Sequence, residues 1–439
     1  MNAGLGRIFL YFLVVTLPVW IVTFLGMQGD GLLRDIGRNL GLIGFMILAM
    51  QFILAARIKW IEMAFGFDIL IRFHKYIALG ALCLLILHPV LLAVDGMGWR
   101  LLIGLDLPWY VMAGKAALFL VTASVLFSFF QPRLGVKFEK WRLMHDISAL
   151  AILALIFIHP WYTGSDMHIP ALRALWVGVL LLAAATFVYH RFIRPRNLQK
   201  RPYLVREVVR EAEDVWTVKL VPPKGEVIAD YLPGQFHFLT FFRDPALPVE
   251  EHHWTISSSP AQKEYLSSTI KAVGDFTATI GQTKPGDTAA VHGSFGRFSY
   301  VLHPGDRDLV FLAGGIGITP LMAMLRHMRD TNDSRSVVLL YANKNAERII
   351  FREELASIAS GERPRLSVVH VLSKPGSDWT GETGHVDRGK IEKYCGQNLQ
   401  GKAFYVCGPF QMSETIIATL RKMGVQGKMI RHEIFTFLD

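Results

Sequence analysis

Four histidines stand at one repeated spacing. His74 and His88 are fourteen residues apart, and so are His145 and His159. All four lie in long apolar stretches that read as helices. Fourteen steps bring a helix back to within roughly 40° of the same face and about 21 Å along its axis. Each helix therefore presents two imidazoles on one face, one toward each end. A proline follows the second histidine both times, as Pro89 and Pro160. If the two helices run in the same direction, His74 meets His145 and His88 meets His159. Two stacked bis-histidine sites are what two b-type haems need, each iron taking one axial imidazole from each helix. Zinc and copper also accept imidazole. However, two ligands per level leave a tetrahedral ion incomplete, and no cysteine or carboxylate stands nearby. The plain alternative is four satisfied intramembrane histidines, although ionisable groups in a span are costly and tend to be functional. With both axial positions filled, such haems relay electrons, and the acceptor takes its electron at the outer edge.

A second chemistry-bearing run is Gly314-Gly315-Ile316-Gly317. It lies between an apolar strand, Asp308–Ala313, and a helical run, Leu321–Arg329. That order places a pyrophosphate at a helix N-terminus, where free N–H groups and the dipole favour anions. The spacing departs from G-x-G-x-x-G, so a purely structural turn is the alternative.

The elements that position these residues divide the chain in two. Of 439 residues, 52% are hydrophobic and 19% charged, against about 25% charged in soluble domains. The charge is sparse before about residue 190 and ordinary after it. Apolar stretches long enough to span a bilayer fall at 8–26, 40–56, 76–94, 108–130, 146–160 and 172–190. The positive-inside rule puts the N-terminus in the cytoplasm. Inner loops then hold Arg57, Lys59, Arg72, Lys75, Arg133, Lys137, Lys140 and Arg142, with five more cations from Arg191 to Arg201; outer loops hold only Arg34, Arg38, Arg100 and Arg173. Trp99, Trp109 and Trp161 fall at the outer boundary, as an aromatic belt does. Lys115 either snorkels to the outer surface or lies near a haem propionate or an anionic acceptor. The net charge of +10 does not read as nucleic-acid binding, because the excess flanks apolar segments. Three cysteines make neither a disulfide framework nor a four-thiolate cluster.

From Tyr203 the pattern turns to short alternating strands, among them Leu204–Val209, Val215–Leu220 and Phe236–Phe241. Their spacing predicts a small β-barrel to about residue 302. Further strands at Val337–Tyr341, Leu366–Leu372 and Ala403–Cys407, with helices between, predict an α/β nucleotide lobe.

Several motifs in order resemble the NADPH oxidase/ferric reductase superfamily. His252-His253-Trp254-Thr255-Ile256-Ser257-Ser258 resembles its H-P-F-T-[IL]-[ST]-S flavin motif, with His253 in place of proline. Leu232-Pro233-Gly234-Gln235-Phe236 resembles the turn entering the flavin barrel. Lys271-Ala272-Val273-Gly274-Asp275-Phe276-Thr277 is similar to the segment that meets the FAD pyrophosphate. His292-Gly293-Ser294-Phe295-Gly296 resembles its glycine-rich turn. The run Leu312 to Pro320 resembles its NAD(P) loop, and Val406-Cys407-Gly408-Pro409 its nicotinamide-side loop. Glu433-Ile434-Phe435 is similar to its terminal aromatic. The paired histidines belong to the same pattern.

The resemblance implies a six-span α-helical membrane haem domain, residues 1–195. A cytoplasmic ferredoxin-NADP reductase-like module follows, with an antiparallel FAD barrel, 203–303, and an α/β NAD(P) domain, 304–439. It implies that His252 and Thr255 hold the isoalloxazine or ribityl chain, with Trp254, Ser257 and Ser258 in the same motif. Lys271, Gly274 and Thr277 would meet the FAD phosphates. Gly314, Gly315, Gly317, Thr319 and Pro320 would approach the NAD(P) pyrophosphate. Cys407, followed by Gly408 and Pro409, would lie beside the nicotinamide, and Phe435, or Phe437, would stack on the flavin.

The expected activity is electron transfer from cytoplasmic NAD(P)H through FAD and two b-type haems to an acceptor across the bilayer. Dioxygen, giving superoxide, is preferred to a ferric complex, because Asp30, Asp35, Asp95, Asp106 and Asp166 are scattered over the outer loops. A non-catalytic haem-binding subunit would not need the second half, and a merely anchored flavin reductase would need no haem. Lys344, Asn345 and Arg348 follow the second strand of the nucleotide lobe, where a 2′-phosphate would lie; they favour NADPH, with NADH left open. The expected location is a bacterial inner membrane or a plasma membrane.

Overall fold

The computed structural model describes residues 2–25, 29 and 31–433. Phe435 and Phe437, the two candidates for the stacking ring, lie outside the described residues, as does Asp30. The chain divides into two compact units, which meet between Arg194 and Pro195.

The first unit is helical. Its elements are α1 (Asn2–Phe24), α2 (Leu32–Ala55), the short α3 (Lys59–Phe65), α4 (Phe67–Leu92), α5 (Arg100–Ile103), α6 (Trp109–Phe130), α7 (Phe138–Thr163) and α8 (Pro170–Val188), and a short α9 (Arg194–Gln199) spans the boundary. Six of these are long and apolar enough to cross a membrane. Three helices begin eight or nine residues before the apolar stretch that predicts them: α2 at Leu32 rather than 40, α4 at Phe67 rather than 76, and α7 at Phe138 rather than 146. Their first two turns carry Arg34, Asp35 and Arg38, or Asp68 and Arg72, or Glu139, Lys140 and Arg142. A helix continues through such polar turns because its backbone bonds are internal, while a hydropathy count stops at them.

Small residues set the closest packing. Gly37, Gly41 and Gly44 form a stripe on α2 facing α4. A Cβ on Gly44 would stand 2.6 Å from Leu85, and one on Gly41 would stand 3.0 Å from the His88 ring. Small-residue stripes let two backbones approach where lipid gives no hydrophobic drive between helices. Phe45 of α2 stacks on Trp176 of α8 with ring centres 3.6 Å apart.

The second unit holds two six-stranded sheets. Strands β1 (Tyr203–Ala212), β2 (Val215–Val221), β3 (Phe236–Phe242), β4 (Glu251–Thr255), β5 (Leu266–Lys271) and β6 (Thr288–Phe295) pair antiparallel in the order β4-β3-β6-β1-β2-β5. Val205, Val218, Leu220, Leu239, Phe241 and Ile270 fill their core. Strands β7 (Asp308–Gly314), β8 (Ser336–Asn343), β9 (Arg365–Leu372), β10 (Glu382–Thr383), β11 (Lys402–Cys407) and β12 (Ile430–Glu433) pair parallel in the order β10-β9-β8-β7-β11-β12. Helices α10 (Ile318–Asp330), α11 (Arg352–Ala359), α12 (Arg388–Cys395) and α13 (Phe410–Lys422) connect them. Strand β7 is apolar on both sides for a reason. Leu309 and Phe311 pack in the core that includes α10, while Val310 and Leu312 pack in the core that includes α13.

Candidate functional site

Helices α4 and α7 carry the four histidines, and the bundle brings them together in pairs. The rings of His74 and His145 are centred 6.3 Å apart, and those of His88 and His159 6.4 Å apart. The far pair is firmly oriented. His88 Nδ1 lies 2.8 Å from the Gly37 carbonyl of α2, and His159 Nδ1 lies 2.8 Å from the Tyr110 carbonyl of α6. A carbonyl can only accept, so Nδ1 carries the proton and Nε2 keeps its lone pair. Gly114 makes room for this arrangement, since a Cβ there would meet the His159 ring at 2.7 Å.

The near pair is held more loosely. His145 Nδ1 lies 3.4 Å from both Ser124 Oγ and Ser128 Oγ on α6. His74 Nδ1 is buried without a hydrogen-bond partner among the described residues. The Gln51 amide is itself buried in α2 with neither its oxygen nor its nitrogen bonded. A crevice of ≈ 580 Å³, lined mostly by apolar side chains of α6 and α7, opens beside His145. Lys115 reaches the Gly104 carbonyl at the far end of the bundle, as snorkelling predicts.

In the second unit, β4 carries the motif residues. Alternation along the strand puts His252 and Trp254 on one face with Phe276, whose ring centre is 4.3 Å from that of His252. His252 Nε2 is bonded to Glu250 at 2.9 Å. Thr255 points to the other side. Its Oγ1 is buried and has no partner. The hydroxyls of Ser257 and Ser258 are engaged inside the barrel, with Ser267, Thr269 and Tyr231. Thr277 Oγ1 accepts the backbone N–H groups of Val273 and Gly274 at 2.9 Å each, closing the turn after β5.

The glycine run forms the tight turn from β7 into α10. Gly315 has φ +51°, a left-handed conformation that suits glycine. A Cβ on Gly317 would stand 2.3 Å from the Cys407 carbonyl, and one on Gly314 would stand 2.5 Å from Met412 Sδ. These glycines let the loops after β7 and β11 press together. Thr319 and Pro320 are buried in the first turn of α10, where Thr319 Oγ1 bonds the Ile316 carbonyl at 3.0 Å. Cys407 ends β11 wholly buried, opposite Glu433 of β12. Burial pushes its thiol well above the usual range, and Glu433 adds to this.

A cleft of ≈ 580 Å³ opens above this turn. Gly314, Gly315, Lys271 and Pro409 are among its walls, with Asp214, Lys344, Arg348 and His385. His252, Trp254 and Thr255 are not. Lys271, expected at the flavin phosphates, is in this wall too, with Nζ 3.8 Å from Asp214.

Two family models match the chain. Residues 40–158 match a ferric reductase like transmembrane component, and residues 311–417 match an oxidoreductase NAD-binding domain. Together they are the pairing seen in the NADPH oxidase/ferric reductase superfamily. The chain thus carries a membrane domain and a nicotinamide-nucleotide domain of the oxidoreductase type. Cytochrome b5 reductase 4 of Rattus norvegicus is 29% identical over 210 residues, 47% of this chain and 38% of that protein. The glycine betaine monooxygenase reductase subunit of Pseudomonas aeruginosa is 31% identical over 239 residues, 53% of this chain and 64% of that protein. The match thus takes in less than two thirds of either relative's length. The FAD/NAD binding domain of a nitric oxide dioxygenase from Vibrio cholerae superposes with TM-score 0.48 at 23% identity, covering 53% of this chain and 98% of that one.

Sequence reading passes over the residues that support the histidines. Gly41, Gly114, Gln51, Ser124 and Ser128 carry no motif. The available signal is a glycine or polar residue inside an otherwise apolar span, which needs a packing or bonding reason.

Proposed function

We propose that the chain carries electrons from NAD(P)H across the bilayer, through FAD and two b-type haems, to dioxygen, giving superoxide. The spacing of the histidine rings is the observation that carries this reading. Two imidazoles on opposite sides of a single ion, with metal–nitrogen bonds of about 2 Å, have ring centres about 6 Å apart. Both pairs stand at that distance. Among the described residues, no third metal-ligating side chain joins either pair, which suits an iron whose other four ligands come from a porphyrin. The unbonded Gln51 amide and the crevice beside His145 fit a polar-edged group at the near level.

The flavin reading rests on Thr255. A buried hydroxyl without a partner costs roughly 1–3 kcal/mol, and a polar ring edge placed against it would remove that cost. When bound, these groups supply a hydride donor, a two-electron to one-electron converter and a pair of one-electron relays.

The protein's own part is positional. His74 and His145 would hold one iron, and His88 and His159 the other. Nδ1 of the far pair stays protonated toward a carbonyl, so each Nε2 faces inward. His252, Trp254, Thr255, Ser257 and Ser258 form the flavin wall, with Gly274 and Thr277 at the phosphates. Gly314, Gly315, Gly317, Thr319 and Pro320 shape the nucleotide turn. Lys271 and Pro409 stand in the cleft itself, and Gly408 packs behind it. Cys407, neutral and dry, bounds the nicotinamide end. Phe435 is proposed to cover the flavin.

The outer acidic residues support dioxygen over a bound ferric ion. Asp35 and Asp166 pair with Arg38, Asp95 with Arg34, and Asp106 with Arg100. None of them joins a metal-ligating group among the described residues. The N-terminus and the reductase module are proposed to be cytoplasmic, on the charge bias of the loops.

The test is NADPH- and NADH-driven cytochrome c reduction by the purified, cofactor-loaded chain in air, with and without superoxide dismutase. A parallel anaerobic run offers a ferric chelate. Loss of most of the aerobic signal to dismutase, with slow iron reduction, is the expected result. Fast anaerobic iron reduction and no effect of dismutase would make the chain a transmembrane metal reductase instead.

A further inference from the structure

We infer that Asp214 sets the choice between NADH and NADPH, by occupying the guanidinium that a 2′-phosphate would otherwise take. The inference rests on reading the cleft at Gly314–Gly317 as the nucleotide site. Asp214 belongs to the hairpin between β1 and β2, on the barrel side, where Ala212 pairs with Val215. From there its carboxylate reaches the other lobe. Asp214 Oδ2 accepts Arg348 Nη1 at 3.0 Å and lies 3.8 Å from Lys271 Nζ. All three residues are in the cleft wall.

The other charged groups of that wall are cations. Lys271, Lys344 and Arg348 line it, and Asp214 is the only carboxylate among its described residues. Sequence alone reads Lys344 and Arg348 as a pair waiting for a phosphate. The structure shows Arg348 already matched. A guanidinium binds phosphate best as a fork with two parallel bonds. Arg348 has one arm committed, and a carboxylate stands beside the place the phosphate would fill.

A phosphate monoester brings a charge of about −1.5 to −2 at neutral pH. Seating it against Arg348 requires displacing Asp214, and like charges then repel across a partly desolvated cleft. Lys344 remains as a mobile, strongly hydrated point charge, which discriminates less. The ribose 2′-hydroxyl of NADH is neutral and meets no such repulsion, and a nearby carboxylate accepts a hydrogen bond from it. The pair also ties the barrel to the nucleotide lobe, so the cleft stays in place when no phosphate is bound to Arg348.

The experiment is calorimetric titration of the full chain, in detergent and loaded with cofactors, with 5′-AMP and with 2′,5′-ADP. These probes differ only in the 2′-phosphate and require no hydride transfer. The native chain is expected to bind them with similar affinity. Asp214→Asn should raise the affinity ratio for 2′,5′-ADP about tenfold, and that gain should shrink at high salt. Asp214→Asn combined with Arg348→Ala should lose the gain. In ferricyanide reduction, Asp214→Asn should raise the NADPH/NADH ratio of kcat/KM by a similar factor, through KM. Binding of 5′-AMP by each variant is the internal control for folding. The inference is overturned if the native chain already prefers 2′,5′-ADP tenfold, or if Asp214→Asn leaves the ratio unchanged. If neither probe binds any variant, the nucleotide reading of the cleft fails, and the inference falls with it.

Discussion

His88 and His159 each bond a backbone carbonyl through Nδ1, and this decides what their other nitrogen can do. A ring fixed in that tautomer offers a lone pair at Nε2 and cannot turn away without leaving its Nδ1–H unpaired. His88→Leu and His159→Leu are therefore each expected to lower haem from two to one per chain, with flavin content retained. Pyridine haemochrome absorbance against protein and flavin concentration reads this. A chain that holds no haem in either form would be a flavin reductase with a membrane anchor. His237 gives a second residue-level outcome. It is fully buried in the barrel, bonded to Ser268 Oγ at 2.6 Å, and burial pushes its pKa down to about 3. The unfolded chain thus takes up a proton that the folded barrel refuses. This contribution to stability is complete above about pH 6.5 and falls as the pH drops toward 3. The apparent melting temperature should decline over that window, and His237→Gln should flatten the decline.

At the scale of elements, the apolar periodicity made the six spans and the strands β1, β2, β3, β7, β8, β9 and β11 legible. Their ends were less so. Strands β4, β5, β6 and β12 were not separately foreseen, because motif residues and turn glycines interrupt their alternation. The glycines matter most where two elements touch. Gly114 on α6 is a clear case, since any side chain there enters the space of the His159 ring. Gly114→Ala should displace that ring, depleting the far haem or shifting its midpoint potential, while the near haem is retained. Redox titration of the two haem signals distinguishes this from general loss of fold, which would remove both. The histidine spacing could be read from sequence, but the cradle of α2 and α6 carbonyls around it could not. Those carbonyls belong to helices remote in the chain, and any residue type supplies one.

At the scale of the whole molecule, charge distribution is the main organising signal. Cations crowd the loops on one side of the predicted bilayer and are few on the other. The cost of moving charge across hydrocarbon then fixes orientation during insertion. Cysteines placed at Asp106 and Lys200 should therefore behave oppositely in intact cells. An impermeant maleimide should label the first, and the second only after permeabilisation. Equal labelling would reject the cytoplasmic assignment of the reductase module, and with it the direction of electron flow. Within the reductase, Arg326 of α10 bonds the Ser257 carbonyl of the barrel at 2.6 Å and pairs with Glu354. Burial would raise that carboxyl, but Arg326 and Arg329 outweigh it and hold it below its ordinary range. The two lobes are thus joined by a charged bond whose partners lie 69 residues apart, and Glu354, 28 residues on in the same lobe as Arg326, holds that guanidinium in place.

The sequence by itself determined the division into an apolar half and an ordinary half, the count of spans and the matched histidine pairs. It also carried the order of the reductase motifs. These are properties of composition and period, which a chain carries before it folds. Only the tertiary structure decided which nitrogen of each far histidine faces inward, because that depends on carbonyls of other helices. It alone showed that Thr255 is left without a partner while Ser257 and Ser258 are engaged. It also placed Lys271 beside Asp214 and matched Arg348 to Asp214, 134 residues away. A charge in a sequence has a sign but no neighbour, and its neighbour determines whether it is free to bind a ligand.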